Sequence, residues 1–132
     1  MPPDWRVCKS IFVADDEATA RRYAKSADGP YGFYFWNLLT KRRSSTGNVD
    51  IFKHDTALPD AAVTVDYMLD HLVIAGTAAS VAEQILAFRD TVGDFGTLLY
   101  CGHDWADPAL ARRSMELMAQ KVMPEVNRAI GE

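Results

Sequence analysis

The sequence predicts an α/β fold with about three parallel-type strands and flanking helices. The first reason lies in the second half of the chain. There, short apolar runs at residues 72–75 (LVIA) and 96–101 (GTLLYC) alternate with helix-length amphipathic stretches. Apolar runs without polar alternation are typical of strands buried on both faces of a parallel sheet. The second reason is a β-branched run at residues 6–14 (RVCKSIFVA) that stops at Asp15-Asp16 and leads into a helical pattern. Connections between such strands are right-handed.

In chain order, residues 6–14 form the first strand, with Val7, Ile11 and Val13 supplying β-branched bulk. Asp15 or Asp16 caps a helix reaching to about Ala27, whose small apolar face is Ala20, Tyr23, Ala24 and Ala27. Asp28-Gly29-Pro30 ends it. Residues 31–39 (YGFYFWNLL) carry five aromatics in six positions and read equally as a strand or a short buried helix. Such a run suits an aromatic core, a subunit interface or a flat-ring ligand. Residues 41–56 read as a polar loop or excursion. Residues 59–70 form a helix and 72–75 a strand that breaks at Gly76-Thr77. A helix over 79–92 buries Val81, Ile85, Phe88 and Val92 and stops at Gly93, and the strand at 96–101 follows. Pro108 opens a last helix to about Arg128, with Ala111, Met115, Met118 and Val122 as its buried stripe and a kink at Pro124.

At 132 residues the chain is read as one domain, 1–132, large enough to bury a core. Apolar residues make up 48% and charged residues 24%, a globular composition. A net charge of −4 gives no support for a nucleic-acid or acidic-membrane partner. The basic cluster Lys41-Arg42-Arg43 beside Ser44-Ser45-Thr46 reads as a solvated loop. No apolar run reaches the roughly 18 to 20 residues of a membrane helix. The two cysteines, Cys8 and Cys101, lie in apolar runs and read as small core residues in a reducing, cytoplasmic compartment. There is no internal repeat and no GxGxxG, P-loop, GxSxG or HExxH motif.

The chemistry concentrates where strands end. In a parallel sheet, loops and helix N-termini converge at the carboxyl edge. Gly102-His103-Asp104-Trp105 follows one strand and Gly76-Thr77 another, and neighbouring strands would bring the two loops together. Thr77 or Ser80 can cap the following helix, whose first amides can also hold an anion. His103 is a candidate general base, pocket donor or metal ligand, or a histidine that only fixes its loop, with Asp104 either orienting it or capping the last helix. Trp105 either seals the rim or stacks on a ligand. Cys101 and His103 offer two zinc-type ligands where three or four are needed, so no metal site is assigned. His54 and His71 read as surface or loop residues without companions.

The stretch VAEQILAFRDTVGDFGTLLYCGHDWADPALARRSMELMAQKVMPEV resembles the C-terminal end of luciferase-like flavin-dependent monooxygenases, in particular their limonene-monooxygenase-like branch. RVCKSIFVADDEATARRYA is similar to a strand-helix unit from later in the same barrel, and DYMLDHLVIAGTAASVAEQI to its penultimate strand, turn and helix, so the resemblance spans residues 6–27 and 66–126. The family's turn reads Gly-Thr/Ser-Pro-Glu. Gly76 and Thr77 match it, while Ala78 and Ala79 stand in for Pro and Glu.

The resemblance implies a partial (β/α)₈ barrel with the last three or so strands, since a whole barrel takes about 250 residues. It implies reduced FMN, or in some branches the deazaflavin F420, at the carboxyl face, near Gly76 and Thr77. His103, Asp104 and Trp105 would border the substrate. A small organic substrate, O₂, a flavin reductase and a homo-oligomeric state belong to the same expectation. The family's residues around the isoalloxazine lie in its first half and have no counterpart here, so the isolated chain is expected to lack most of the flavin site. Three functional readings follow. The chain is the C-terminal segment of such an oxygenase. Or it is a non-catalytic binding or self-associating module, with residues 31–36 as its contact surface. Or it is an unrelated small enzyme using His103 and Asp104 as an acid-base pair.

Overall fold

The structure is a computed structural model that describes residues 4–103 and 106–131. Three parallel strands, β1 (Arg6–Val13), β2 (Val73–Gly76) and β3 (Thr97–Cys101), form one sheet in the order β2-β1-β3. The predicted class holds: α/β, parallel, with flanking helices. The strand order was not foreseen. β2 and β3 are not neighbours, because β1 lies between them and pairs Ser10 with Val73 on one side and with Cys101 on the other.

The crossover from β1 to β2 and the one from β2 over β1 to β3 run in opposite directions along the sheet, which places their helices on opposite faces. Alternate strand residues follow that division. Phe12, Ala14, Val73 and Ala75 pack into one core with residues of α1 (Glu17–Ala24), α2 (Pro30–Ser45) and α3 (Val65–Leu72). Ile11, Val13 and Ile74 pack into the other with α4 (Ala78–Val92) and the C-terminal helices. The cover is incomplete. Arg6, Cys8, Thr97 and Leu99 share one face and are exposed, so β3 is a half-open edge strand and not the fully buried strand expected.

Local chemistry sets the helix ends. Asp16 caps α1 by accepting from the Thr19 amide at 2.7 Å. Pro30 begins α2, its fixed φ suiting a first helical position. This helix resolves the aromatic run: Tyr31, Phe35 and Leu39 recur at four-residue spacing on the buried side. Phe33, Tyr34 and Trp36 are exposed. Residues 41–45, read as the start of a polar loop, continue α2, and a short 3₁₀ turn, Asp50–Phe52, interrupts the remainder. The helix expected over 59–70 begins later, after Thr64 accepts from the Tyr67 amide. Lys25 fastens α1 to the end of α3, donating to the Leu69 and Val73 carbonyls at 2.7 and 2.6 Å. Burial pulls its pKa down to about 8.

The last helix is three pieces. α5 (Pro108–Leu117) widens into a π-helical turn, Met118–Val122, before α6 (Met123–Ala129). The widening precedes Pro124, whose missing N–H and ring disturb the turn before it. Its buried stripe is Ser114, Leu117, Met118 and Val122, whereas Met115, expected inside, is exposed. Among the described residues, no helix is long and apolar enough to cross a membrane.

Candidate functional site

In a doubly wound sheet, the cleft opens where connections depart to opposite sides. Here that point is the carboxyl end of β1 and β3. A cavity of about 170 Å³ opens there, lined by Phe12, Tyr23, Tyr31, Tyr100, His103 and Ser114 among others. Its walls are mostly rings. Phe12 stacks on Tyr23 with centroids 4.5 Å apart, and Tyr31 meets both edge-on.

The polar groups in the cavity are fixed by partners. Tyr31 donates its hydroxyl to the Ile11 carbonyl at 2.9 Å, and burial raises its pKa far above the usual phenol value, so it stays a donor. Ser114 accepts from the Val13 amide at 2.9 Å and bonds the Tyr100 hydroxyl at 2.5 Å. β3 ends before Val13, so α5 supplies the partner that the sheet does not. Below the rim, Arg113 grips Asp15 through two nitrogens and holds its carboxyl below the usual range.

His103 stands at the mouth. Its ring lies flat on Tyr34, with centroids 3.8 Å apart and 15° between planes, and meets Tyr31 edge-on at 5.0 Å. Its Nε2 is hydrogen-bonded to the Ser10 hydroxyl. Ser10 is held in the sheet between both neighbouring strands, so the contact fixes the orientation of the imidazole. Burial lowers the His103 pKa, so the ring is neutral near pH 7 and can accept or donate one hydrogen bond.

A histidine with a depressed folded pKa stabilises the fold fully above its unfolded value of about 6.5, and that contribution is lost as pH falls through the folded value. The urea midpoint should therefore drop on acidification below about pH 6.5, and His103→Gln should flatten that slope. Equal slopes in both proteins would remove His103 as the cause.

The other predicted residues divide. Gly76 and Thr77 share the carboxyl edge with His103 but lie across β1 from it, because β2 and β3 are not adjacent. Thr77 caps α4, as expected. The Thr77 amide, however, already donates to the Glu17 carboxylate at 3.1 Å, so an internal anion occupies the helix N-terminus. A Cβ on Gly76 would come within 2.9 Å of that same carboxylate oxygen. Asp104 and Trp105 lie outside the described residues. The capping of α5 suggested for Asp104 is done by Asp107, which accepts from Ala109 and Leu110 amides.

His54 and His71 are not without companions: their rings stack at 4.4 Å, and His54 also bonds the Tyr67 hydroxyl at 2.5 Å. Cys8 and Cys101 are not core residues. Cys8 is exposed, Cys101 is half-buried, and their sulfurs are 2.7 Å apart. No three His, Cys, Asp or Glu among the described residues are placed to share a metal ion.

Sequence reading missed Ser10, Tyr23 and Ser114 as site residues, and offered Tyr31 and Tyr34 only as part of an aromatic run suited to a core, an interface or a flat-ring ligand. Ser10 left a trace, a polar residue directly before the apolar run Ile11-Phe12-Val13. The others are ordinary aromatics and a helix serine whose convergence is purely tertiary.

No family model matches this sequence. Individual relatives do. A 3,6-diketocamphane 1,6-monooxygenase of Pseudomonas putida is 28% identical over 121 residues, 91% of this chain and 32% of the relative. A limonene 1,2-monooxygenase of Rhodococcus erythropolis is 32% identical over 130 residues, 97% of this chain and 30% of the relative. In three dimensions, 92% of the chain superposes with a TM-score of 0.76 and 28% identity on 33% of a solved chain. That protein is a type II Baeyer–Villiger monooxygenase, the oxygenating constituent of 3,6-diketocamphane monooxygenase of Pseudomonas putida, in complex with FMN. The chain thus spans about a third of the length of the curated relatives it matches.

Proposed function

We propose, on the premise that this chain is related to the luciferase-like flavin monooxygenases over about a third of their length, that it forms the small-substrate side of such an oxygenase. On this reading it corresponds to the C-terminal segment and does not complete a flavin site alone. The observation that carries the reading is the superposition of nearly the whole chain on part of an FMN-bound oxygenase.

The enclosed cavity does not fit a whole FMN. A cavity of about 150 Å³ takes up one benzene ring. The cavity between Phe12, Tyr31 and His103, about 170 Å³, is of that size, and a more open hollow of about 370 Å³ lies beside it against Phe33, Tyr34 and His103; FMN brings three fused rings, a ribityl chain and a phosphate. The α4 N-terminus, the natural place for the phosphate, holds Glu17. The cavity does suit a neutral, one-ring organic substrate, with apolar contact from Phe12 and Tyr23 and one hydrogen bond from the His103 region. Flavin, O₂ and a reductase would be engaged by the rest of an oxygenase of this kind.

A second reading, a self-associating module, is favoured by the exposed Phe33 and Trp36 on α2, 62% and 53% accessible.

The test is a titration of the purified chain with oxidised and reduced FMN by fluorescence, and with cyclohexanone by NMR, alongside mass in solution. The expected result is no saturable FMN binding at micromolar concentration, with cyclohexanone shifting the His103 and Tyr31 signals. Micromolar FMN binding would overturn the claim that the flavin site is incomplete. A ring compound that shifts neither residue would overturn the cavity assignment, and a stable dimer with that result would favour the second reading.

A further inference from the structure

We propose that Cys8 and Cys101 are a reversible thiol–disulfide pair, a site where peroxide closes a covalent link between β1 and β3. The inference is independent of the flavin reading and rests on the sheet. In the β1–β3 register Cys8 lies opposite Leu99 and Ser10 opposite Cys101, so the cysteines are diagonal neighbours on one face. That face is the one with no helix over its amino half, and Cys8 is exposed on it. The two sulfurs touch at 2.7 Å.

The chemistry divides between the two thiols. Its hydrogen bond with Cys8, and then burial, raise the Cys101 pKa to about 11, so Cys101 stays a thiol. Cys8, the exposed partner, meets the oxidant. Its thiolate attacks one oxygen of hydrogen peroxide, the O–O bond breaks, and Cys8 becomes a sulfenic acid with hydroxide leaving. The Cys101 sulfur then attacks the sulfenyl sulfur of Cys8. The S–O bond breaks, the Cys101 proton leaves with the hydroxyl as water, and the S–S bond forms. Two thiols and one peroxide give one disulfide and two waters.

Exposure sets how lasting the bond is. The sulfurs are already in contact and Cys8 is open to solvent, and an exposed disulfide is readily reduced. Ser10 sits opposite Cys101 and holds His103, so the link acts one rung from the mouth of the cavity.

The experiment treats the full chain with hydrogen peroxide, counts free thiols, and maps peptides by mass under non-reducing conditions. Both thiols should disappear together, with the intact monomer two hydrogens lighter and Cys8 found bonded to Cys101. Reduced glutathione should restore both. In Cys101→Ser, Cys8 should stop at sulfenic acid and be trapped by dimedone; in Cys8→Ser, no intramolecular link should form. Separate sulfinic acids, an intermolecular dimer, or thiols that survive peroxide would overturn the proposal. A link that glutathione leaves intact would overturn its reversibility.

Discussion

Truncating Tyr31 to alanine is expected to cost about 3–5 kcal/mol of stability, the range for removing a large buried ring. Tyr31 is 2% exposed and sits where β1, α1 and the mouth of the cavity meet. Its ring touches Phe12, Tyr23 and His103, and its hydroxyl holds the Ile11 carbonyl. The space it leaves adjoins an existing cavity, so neighbours have little to collapse onto. Tyr31→Phe keeps the ring and loses only the hydrogen bond, about 1 kcal/mol. Urea unfolding of the two variants separates ring from hydroxyl. A cost below about 1 kcal/mol for alanine would mean that the ring is not part of the core.

Gly32 should tolerate no side chain. Alanine is ordinarily preferred over glycine inside a helix by about 1 kcal/mol. In α2 that gain is overruled. A Cβ on Gly32 would lie 2.4 Å from the Ala27 carbonyl oxygen and 2.5 Å from that of Ser26. Both are backbone atoms of the link from α1, so no rotamer change relieves the contact. Gly32→Ala must push α2 away from α1, at a net cost of about 1–3 kcal/mol, the usual scale of overpacking. The aromatic set that α2 presents to the cavity would move with it. Thermal and urea midpoints read the cost directly. A stabilised Gly32→Ala protein would show that α2 does not pass that close to α1.

What the sequence made legible was local. The strand at 6–14, the Asp16 cap and the helix after Thr77 could be read because caps and β-branched runs act over a few residues. The π-helical turn was visible only as its cause, Pro124. α2 stayed ambiguous because five aromatics in six positions hide the four-residue spacing of Tyr31, Phe35 and Leu39. Strand order was not legible, since an apolar run says that a strand is buried and not which strand lies beside it. The error in pairing the Gly76 and His103 loops came from that gap. The cysteine pair and the Ser10–His103 contact need the register of residues far apart in sequence, and no local pattern carries it.

The place of β1 in the sheet also has a consequence for how the chain is made. β1 is the central strand, yet it precedes both of its partners in the chain. Ser10 waits for Val73 and Arg6 waits for Thr97 before either has its sheet partner. At about 5–20 residues per second, a ribosome leaves this strand unpaired for several seconds. During that interval Ile11, Phe12 and Val13, nearly inaccessible in the finished fold, are bare on the nascent chain. Long-range pairings of this kind slow folding. Chains stalled before residue 97 would therefore be natural clients for chaperones and prone to aggregate, however well the completed protein folds.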